Sequence, residues 1–246
     1  MLTEQRYNLI LNLVNEKKSV TVTEIKELLN TSESTVRRDI TALHKAGKLV
    51  KVFGGAVALE NVLTSDEPTV AQKVELNKQE KQRIAKYAAS LIEPEDFVYL
   101  DAGTSTGYML DYIEENSATY VTNAVAHAQR LAARRFRVLL VGGELKSTTE
   151  AVVGNQAMQT LQSYHFTKGF FGTNGISRKA GFTTPDANEA LTKKTALEQC
   201  AKSYVLCDYS KFGKISSVTF AASYIPVILT DRQPEGWEDC ENLIVI

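Results

Sequence analysis

The sequence has little cysteine, no excess of either charge and no long apolar run. Its three cysteines, Cys200, Cys207 and Cys240, form neither a CxxC pair nor a metal-ligand spacing with histidine, which argues against a disulfide framework and a metal site. No apolar run approaches the length of a membrane-spanning helix. The first 18 residues carry charges inside their apolar run and lack a small-residue cleavage site, so they do not read as a signal peptide. We therefore expect a cytoplasmic protein.

Charge is balanced overall but unevenly distributed. The net charge of −1 excludes a uniformly basic nucleic-acid coat protein. Residues 1–57 nevertheless carry a net charge of +3, and residues 58–246 a net charge of −4. At 246 residues the chain can hold one large domain or two smaller ones. A small basic head on a larger acidic body suggests a local contact with nucleic acid.

The head has the pattern of a helix-turn-helix. Apolar residues recur at helical spacing over 3–16, and a second short helical pattern ends at Asn30. Ser32 is a good N-cap for a third helix, whose apolar stripe comprises Val36, Ile40 and Leu43. Two helices joined by a turn of about three or four residues make this motif.

The third predicted helix presents polar side chains opposite its apolar stripe. Arginine can bind a guanine edge with two hydrogen bonds, and hydroxyl groups reach bases or phosphates, so this face suits the major groove of DNA. The alternative is the solvated face of a small helical bundle. Lysines on the strand that follows could contact phosphates. The candidate DNA-binding residues are Ser32, Ser34, Thr35, Arg37, Arg38, Thr41, Lys45, Lys48 and Lys51.

The segment after this helix predicts a wing and carries a family resemblance. Residues 48–53 are strand-like, and Gly54-Gly55 turns the chain into a second strand. The run Ser34–Ile40 together with Gly54-Gly55-Ala56 resembles the head of DeoR-type bacterial transcriptional repressors. One departure is visible, because members of that family often carry a histidine where this chain has Phe53.

The body alternates between strand and helix patterns. Continuous apolar runs between helices predict an α/β domain with a mostly parallel sheet covered on both faces. We expect domains at 1–58 and 77–246, joined by a linker over 59–76 that has no clean period. The expected helices cover 77–92, 107–115, 124–133, 156–163 and 187–201, and the expected strands 97–100, 120–122, 137–141, 169–172, 204–207, 218–221, 227–229 and 243–246.

Polar and glycine-rich turns follow five of the predicted strands. The carboxyl ends of parallel strands are where open α/β sheets bind ligands, and glycine, hydroxyl and lysine groups there could cradle an anion. The alternative is that these turns are only good connectors. Neither the Walker pattern nor GxGxxG is present, which makes a nucleotide site a weak hypothesis. The candidate effector-binding residues are Asp101, Gly103, Thr104, Ser105, Thr106, Thr122, Asn123, Gly142, Gly143, Gly172 and Lys211.

These turns extend the resemblance over most of the chain. Asp-x-Gly-Thr-x-Thr at 101–106 and Asp-Tyr-Ser-Lys-Phe-Gly at 208–213 are similar to motifs of the DeoR effector domain. The resemblance implies a fold like that of ribose-5-phosphate isomerases and a phosphorylated-sugar ligand. It predicts a sequence-specific DNA-binding repressor of a sugar-utilisation operon that acts as a homodimer or homotetramer and is released from operator DNA by that ligand. No cofactor or metal is indicated.

Two other functions compete with this prediction. Asp101, Asp186, Glu189 and Lys193 could serve a sugar-phosphate isomerase-like enzyme with an accessory head. We interpret Asp186 and Glu189 instead as favouring a helix dipole, and Lys193 as part of a solvated face. The carboxylate-rich run expected of the isomerases is absent, since the corresponding region reads Gly172–Gly175. A purely architectural DNA-binding protein is the other alternative.

Overall fold

The computed structural model describes residues 3–17, 19–58, 62–64 and 69–246. The chain divides into two compact units, Met1–Leu63 with Gly213–Ile215 and Thr64–Phe212 with Ser216–Ile246. We call them unit 1 and unit 2. The expected linker lies partly outside the described residues, and its boundaries at 58 and 76 stay a prediction.

Unit 1 is a winged helix-turn-helix, which confirms the prediction for the head. Its first three strands form an antiparallel sheet in the order β1-β3-β2, so a strand before the second helix joins the wing. The elements are α1 (Thr3–Lys17), β1 (Ser19–Thr21), α2 (Val22–Leu29), α3 (Glu33–Lys45), β2 (Val50–Val52) and β3 (Gly55–Val57).

Local capping explains why the two central helices begin where they do. The Thr21 side chain accepts a hydrogen bond from the Glu24 amide, and Glu24 bonds back to the Thr21 amide, which completes a capping box at α2. Ser32 accepts from the Thr35 amide and caps α3. The apolar stripe of α3 is buried against α1, α2 and the wing in one core cluster.

Two short elements follow within the expected linker. Val62–Thr64 forms the strand β4, and Val70–Val74 forms the helix α4. Thr69 caps α4 in a capping box with Gln72. No residue of α4 is buried.

Unit 2 is built on a seven-stranded sheet in which every neighbouring pair is parallel, as the sequence predicts. The strand order is β17-β16-β13-β10-β5-β6-β7. The sheet strands are β5 (Phe97–Leu100), β6 (Thr119–Thr122), β7 (Arg137–Leu140), β10 (Phe166–Gly172), β13 (Cys200–Leu206), β16 (Val227–Thr230) and β17 (Leu243–Val245). The helices are α5 (Lys78–Ala89), α6 (Thr104–Met109), α7 (Val125–Ala133), α8 (Asn155–Gln162) and α9 (Ala187–Glu198).

Helices cover both faces of this sheet. Alternate residues of β5 show the division, since Tyr99 packs in the cluster that includes α8 and α9, and Leu100 packs in the cluster that includes α5, α6 and α7. No helix among the described residues is long and apolar enough to cross a membrane.

The structure also differs from the expected elements. The helix expected over 107–115 begins at Thr104 and ends at Met109. The helix expected to reach 201 ends at Glu198, because Cys200 already pairs with Phe166 in the sheet. Short strands outside the main sheet were not expected; they are β8 (Glu144–Lys146), β9 (Ala151–Val153), β11 (Gly175–Ser177), β12 (Gly181–Thr184) and β14 (Lys214–Ser216). The expected strand 218–221, here β15 (Val218–Ala221), pairs with β12 instead of joining the main sheet.

Candidate functional site

The exposed face of α3 carries the residues that the sequence proposes for DNA contact. Five of them are exposed along the helix and its N-cap, while Thr35 and Thr41 are half-buried. Lys48 and Lys51 are exposed after the helix. The five exposed residues on or before the helix are Ser32, Ser34, Arg37, Arg38 and Lys45.

Hydrogen bonds arrange part of this face in advance. The Lys51 ammonium on β2 donates to the Thr41 hydroxyl at 3.0 Å, which ties the wing to α3. The Arg37 guanidinium is paired with the Glu33 carboxylate at 2.5 Å. The Arg38 side chain is exposed and has no hydrogen-bond or ion-pair partner among the described residues, so its guanidinium is open to an external acceptor.

An ion pair that no sequence pattern indicates joins α3 to α1. Asp39 is buried, and its two carboxylate oxygens accept from the Arg6 guanidinium of α1 at 2.7 and 3.0 Å. Two parallel bonds fix geometry as well as charge. The pair therefore sets the orientation of α3 relative to α1.

The tip of the wing is apolar. Phe53 and Gly54 form the turn between β2 and β3, and the Phe53 side chain is fully exposed. A positive φ of 84° at Gly54 explains glycine at the second turn position.

A cavity in unit 2 lies at the carboxyl ends of β5, β10 and β13, which are neighbours in the sheet. The turns after these strands line it, together with α4, the first turn of α5 and part of α9. Five of the proposed effector residues line the cavity, namely Gly103, Thr104, Ser105, Gly172 and Lys211.

Three other proposed effector residues are buried and use their polar groups inside the fold. The Thr106 hydroxyl donates to the Asp101 carbonyl at 2.7 Å. The Thr122 hydroxyl accepts from the Ala124 amide at 3.1 Å. The Asn123 side chain accepts from the Ala102 amide at 2.8 Å and so shapes the loop before α6. These residues support the cavity and do not line it.

The remaining pair of glycines lies away from the cavity. Gly142 and Gly143 follow β7, the edge strand, which is separated from β5 by β6. A Cβ atom at Gly143 would lie 2.7 Å from the Val153 carbonyl oxygen, so glycine there permits close packing of the chain. The structure does not bring these two residues to the proposed ligand.

The position of Lys193 corrects the sequence interpretation. It was expected on a solvated face of its helix, but it is buried in α9 and pairs with the Asp101 carboxylate. Asp101 also accepts from the Gly172 amide at 2.9 Å. Burial raises the pKa of the Asp101 carboxyl, against the opposing effect of the Lys193 ammonium. A charge at this helix position is tolerated because Asp101, directly after β5, supplies the opposite charge.

Glu189 also does more than favour the helix dipole. It is buried, lines the cavity, and accepts hydrogen bonds from Thr149 and from Lys146, the latter at 3.3 Å. Asp186, by contrast, caps α9 by accepting from the Glu189 amide at 2.9 Å, as its position before the helix predicts.

Two lysines that line the cavity are not among the residues predicted from the sequence. Lys73 of α4 and Lys81 of α5 line it together with Lys193 and Lys211. Lys81 is 3% exposed. Burial, followed by the nearby Lys211 ammonium, lowers the pKa of Lys81 to about 8. No sequence signal marks Lys81, because its helix has polar residues on both sides of it.

Comparison with known proteins identifies the family. Residues 6–62 match the DeoR-like helix-turn-helix domain, and residues 76–232 match the DeoR C terminal sensor domain. The chain belongs to the DeoR family. It is a DNA-binding transcriptional regulator with an effector-sensing domain, which confirms the predicted resemblance and does not favour the enzyme alternative.

Full-length relatives of this DeoR-family chain are regulators by name. The uncharacterized HTH-type transcriptional regulator FruR of Bacillus subtilis is 39% identical over 100% of this chain and 98% of its own length. The lactose phosphotransferase system repressor of Streptococcus mutans is 34% identical over 96% of this chain and 94% of its own length. That of Staphylococcus aureus is 35% identical over 94% of this chain and 93% of its own.

Two solved structures are similar to this chain at low sequence identity and low TM-score. Ribose 5-phosphate isomerase A of Methanocaldococcus jannaschii is 12% identical, with a TM-score of 0.40 over 55% of each chain. The sorbitol operon regulator SorC of Klebsiella pneumoniae is 12% identical, with a TM-score of 0.39 over 85% of this chain and 95% of its own. Both likenesses are partial, and neither bears on activity.

Proposed function

We propose that this DeoR-family regulator represses a sugar-utilisation operon and leaves its operator when a phosphorylated sugar enters the cavity of unit 2. The observation that carries the proposal is the group of four lysines around one cavity in the sensor domain. The names of the relatives, which include repressors of a lactose phosphotransferase system, support a sugar-linked operon.

Operator binding is assigned to α3 and the wing. Ser34 and Arg38 lie near the amino-terminal end of α3, the end from which a recognition helix contacts bases. Lys48 and Lys51 lie where they could meet phosphates, which would fix register without reading sequence. A protein that acts on operator DNA in this way works in the cytoplasm.

The ligand is assigned by the chemistry of the cavity walls. The lysines and the loop Gly103–Ser105 suit a phosphoryl group, because cations and amide groups stabilise a dianion. Thr173, Asn174 and Glu189 add hydroxyl, amide and carboxylate groups, which suit sugar hydroxyls. A ligand with an anionic end and a polyhydroxyl end fits both sets.

Two variants separate DNA reading from sensing. Arg38→Ala should weaken operator binding by about 1–3 kcal/mol and leave binding to random DNA almost unchanged. Thr104→Ala with Lys211→Ala should bind operator normally but no longer respond to effector. The usual scale of such coupling is about 5- to 150-fold in affinity.

Gel shifts and calorimetry with fructose 1-phosphate, fructose 6-phosphate, galactose 6-phosphate and the free sugars would check these outcomes. Arg178→Ala, at an exposed position of unit 2 outside the cavity, is the matched control. The DNA assignment fails if Arg38→Ala binds operator as the unaltered chain does. The effector assignment fails if a free sugar binds as tightly as its phosphate ester, or if the double variant still responds.

A further inference from the structure

Lys81 is a buried cation with too few partners. Its ammonium group has three hydrogens, and the structure gives it one hydrogen-bond acceptor, the Lys73 carbonyl at 2.6 Å. It forms no ion pair within the described part of the chain. Lysine is rarely buried without an opposite charge, because removing the ammonium from water costs free energy that a partner must offset.

The charges around Lys81 are mainly of its own sign. Lys211 and Lys73 lie close enough to lower its pKa, and Asp208 is the one acidic neighbour that acts against them. One Asp208 oxygen accepts from Asn77 at 2.9 Å and also from Ser210. Of the charges that shift the pKa of Lys81, two therefore share its sign and one opposes them, and one oxygen of that opposing carboxylate is already bonded to Asn77 and Ser210. An anion in the cavity would supply the missing charge.

The acceptor of Lys81 belongs to α4, a short helix without buried residues. Three polar contacts attach it to the rest of unit 2: Lys81 donates to the Lys73 carbonyl, the Tyr108 hydroxyl donates to the Val74 carbonyl at 2.9 Å, and the Val70 amide donates to the Thr148 carbonyl at 3.4 Å. Helices with few buried apolar contacts open at low free-energy cost.

We propose that Lys81 couples the effector cavity to α4: a bound phosphoryl group takes the Lys81 ammonium as its counter-ion and thereby holds α4 closed against the cavity. The ammonium can donate to the anion and to the Lys73 carbonyl at once, because it has hydrogens for both. The Lys73 side chain lines the same cavity, so the anion draws α4 inward from two points. Lys73 and Lys211 repel the Lys81 ammonium, and a bound anion would offset that repulsion.

This inference rests on the proposed effector and adds how the ligand is sensed. In sequence, α4 lies between the helix-turn-helix domain and the main body of the sensor domain. A change in the stability of α4 therefore affects the segment that connects the DNA-binding domain to the sensor domain along the chain. A ligand can shift an equilibrium only by its differential affinity for the two states, and Lys81 provides that difference.

Hydrogen–deuterium exchange of the full chain tests the coupling, with Lys81→Met, Lys81→Arg and Lys86→Met as variants. Lys86 is an exposed lysine of the same helix and serves as the matched control. Fructose 1-phosphate and inorganic phosphate are the probes, and calorimetry measures their binding. In the unaltered chain and in Lys86→Met, a saturating phosphate ester should slow exchange at residues 70–76 by about tenfold or more.

Lys81→Met should bind the ester about 10- to 100-fold more weakly, the range for one charged hydrogen bond, and show no slowing even at saturation. Lys81→Arg, which keeps a cation and donors, should retain part of both effects. A thermal melt like that of the unaltered chain shows that the variant is folded; if Lys81→Met does not fold, Lys81→Arg decides.

The proposal is overturned if the ester binds the unaltered chain but leaves exchange at 70–76 unchanged or faster. It is equally overturned if folded Lys81→Met binds and slows exchange as the unaltered chain does, or if Lys81→Arg loses both effects completely. If no phosphate ester binds the unaltered chain at all, the proposed function itself fails, which is a separate result.

Discussion

Burial of His127 makes the stability of the protein depend on pH. It lies in α7 and is 7% exposed, and its Nδ1 atom has no hydrogen-bond partner within the described chain. Burial, followed by the nearby Arg130 guanidinium, lowers the pKa of His127 to about 4. A Cβ atom at Gly107 would lie 3.0 Å from the ring, so the histidine packs tightly beneath α6.

Acid should therefore destabilise the protein in part through His127. Between pH ~6.5 and ~4 the unfolded chain binds a proton at this site that the folded chain does not, so the free energy of unfolding falls as pH falls, by at most about 1.4 kcal/mol per pH unit. His127→Gln should show a shallower dependence in urea titrations over this range. His165→Gln, at an exposed histidine, should keep the original slope. Equal slopes for His127→Gln and the unaltered chain would contradict the assignment.

The buried pair of Asp101 and Lys193 predicts a non-additive result. Lys193→Met leaves the Asp101 carboxylate buried without its partner charge, which should lower the free energy of unfolding by about 3–5 kcal/mol. Asp101→Asn combined with Lys193→Met removes both charges and should recover much of that loss. Urea unfolding of the two single variants and the double variant measures the coupling. Additive losses would show that the pair does not act as a unit.

At the scale of elements, α3 depends on its first turn for stability and on its exposed face for recognition. Ser32→Ala removes the acceptor for the Thr35 amide and should lower the free energy of unfolding by about 1 kcal/mol. Ser34→Ala should change it by less than about 0.5 kcal/mol, because Ser34 is exposed and does not cap the helix. Chemical denaturation of both variants distinguishes the capping role of Ser32 from the exposed position of Ser34. Equal losses of stability in the two variants would contradict the assignment of Ser32 as the cap.

Elements also differ in how well local pattern predicts them. α3 has a cap, an apolar stripe and an exposed polar face, and all three agree, so its start was predictable from Ser32. α6 ends at Met109 although residues 107–115 have helical spacing. Leu110 and Ile113 are buried in the core cluster beneath the sheet, and that packing, which no local pattern records, decides how the chain continues.

At the scale of the whole molecule, the number of operator contacts predicts an assembly. One recognition helix contacts too few bases to select a site among a genome's competitors, so we expect the chain to bind DNA as a symmetric pair or a pair of pairs. Footprints should show related half-sites separated by whole turns of DNA, about 10 base pairs or multiples of it. Sedimentation at working concentration checks the assembly. A monomer that protects one isolated half-site would contradict the prediction.

The candidate effector residues show what the sequence left open. Eleven residues at the ends of five predicted strands were candidates, and the strand order selects among them. β13, β10 and β5 are neighbours, so their turns meet at one cavity, whereas the turn after β7 lies two strands away from β5. The order of the strands along the chain does not reveal their order across the sheet, because consecutive parallel strands need not be neighbours in the sheet.

The sequence by itself determined the helix-turn-helix and the parallel sheet, and it placed polar and glycine-rich turns at the carboxyl edge where the cavity lies. Each depends on caps, periodicity and turn residues that lie close together in the chain. The tertiary structure alone decided which charges are buried. Lys193 meets Asp101 across 92 positions, and Lys81 enters a cavity whose other lysines come from α4, α9 and the loop after β13. The reason is physical: a side chain's environment is set by partners distant in sequence, and only folding brings those partners together.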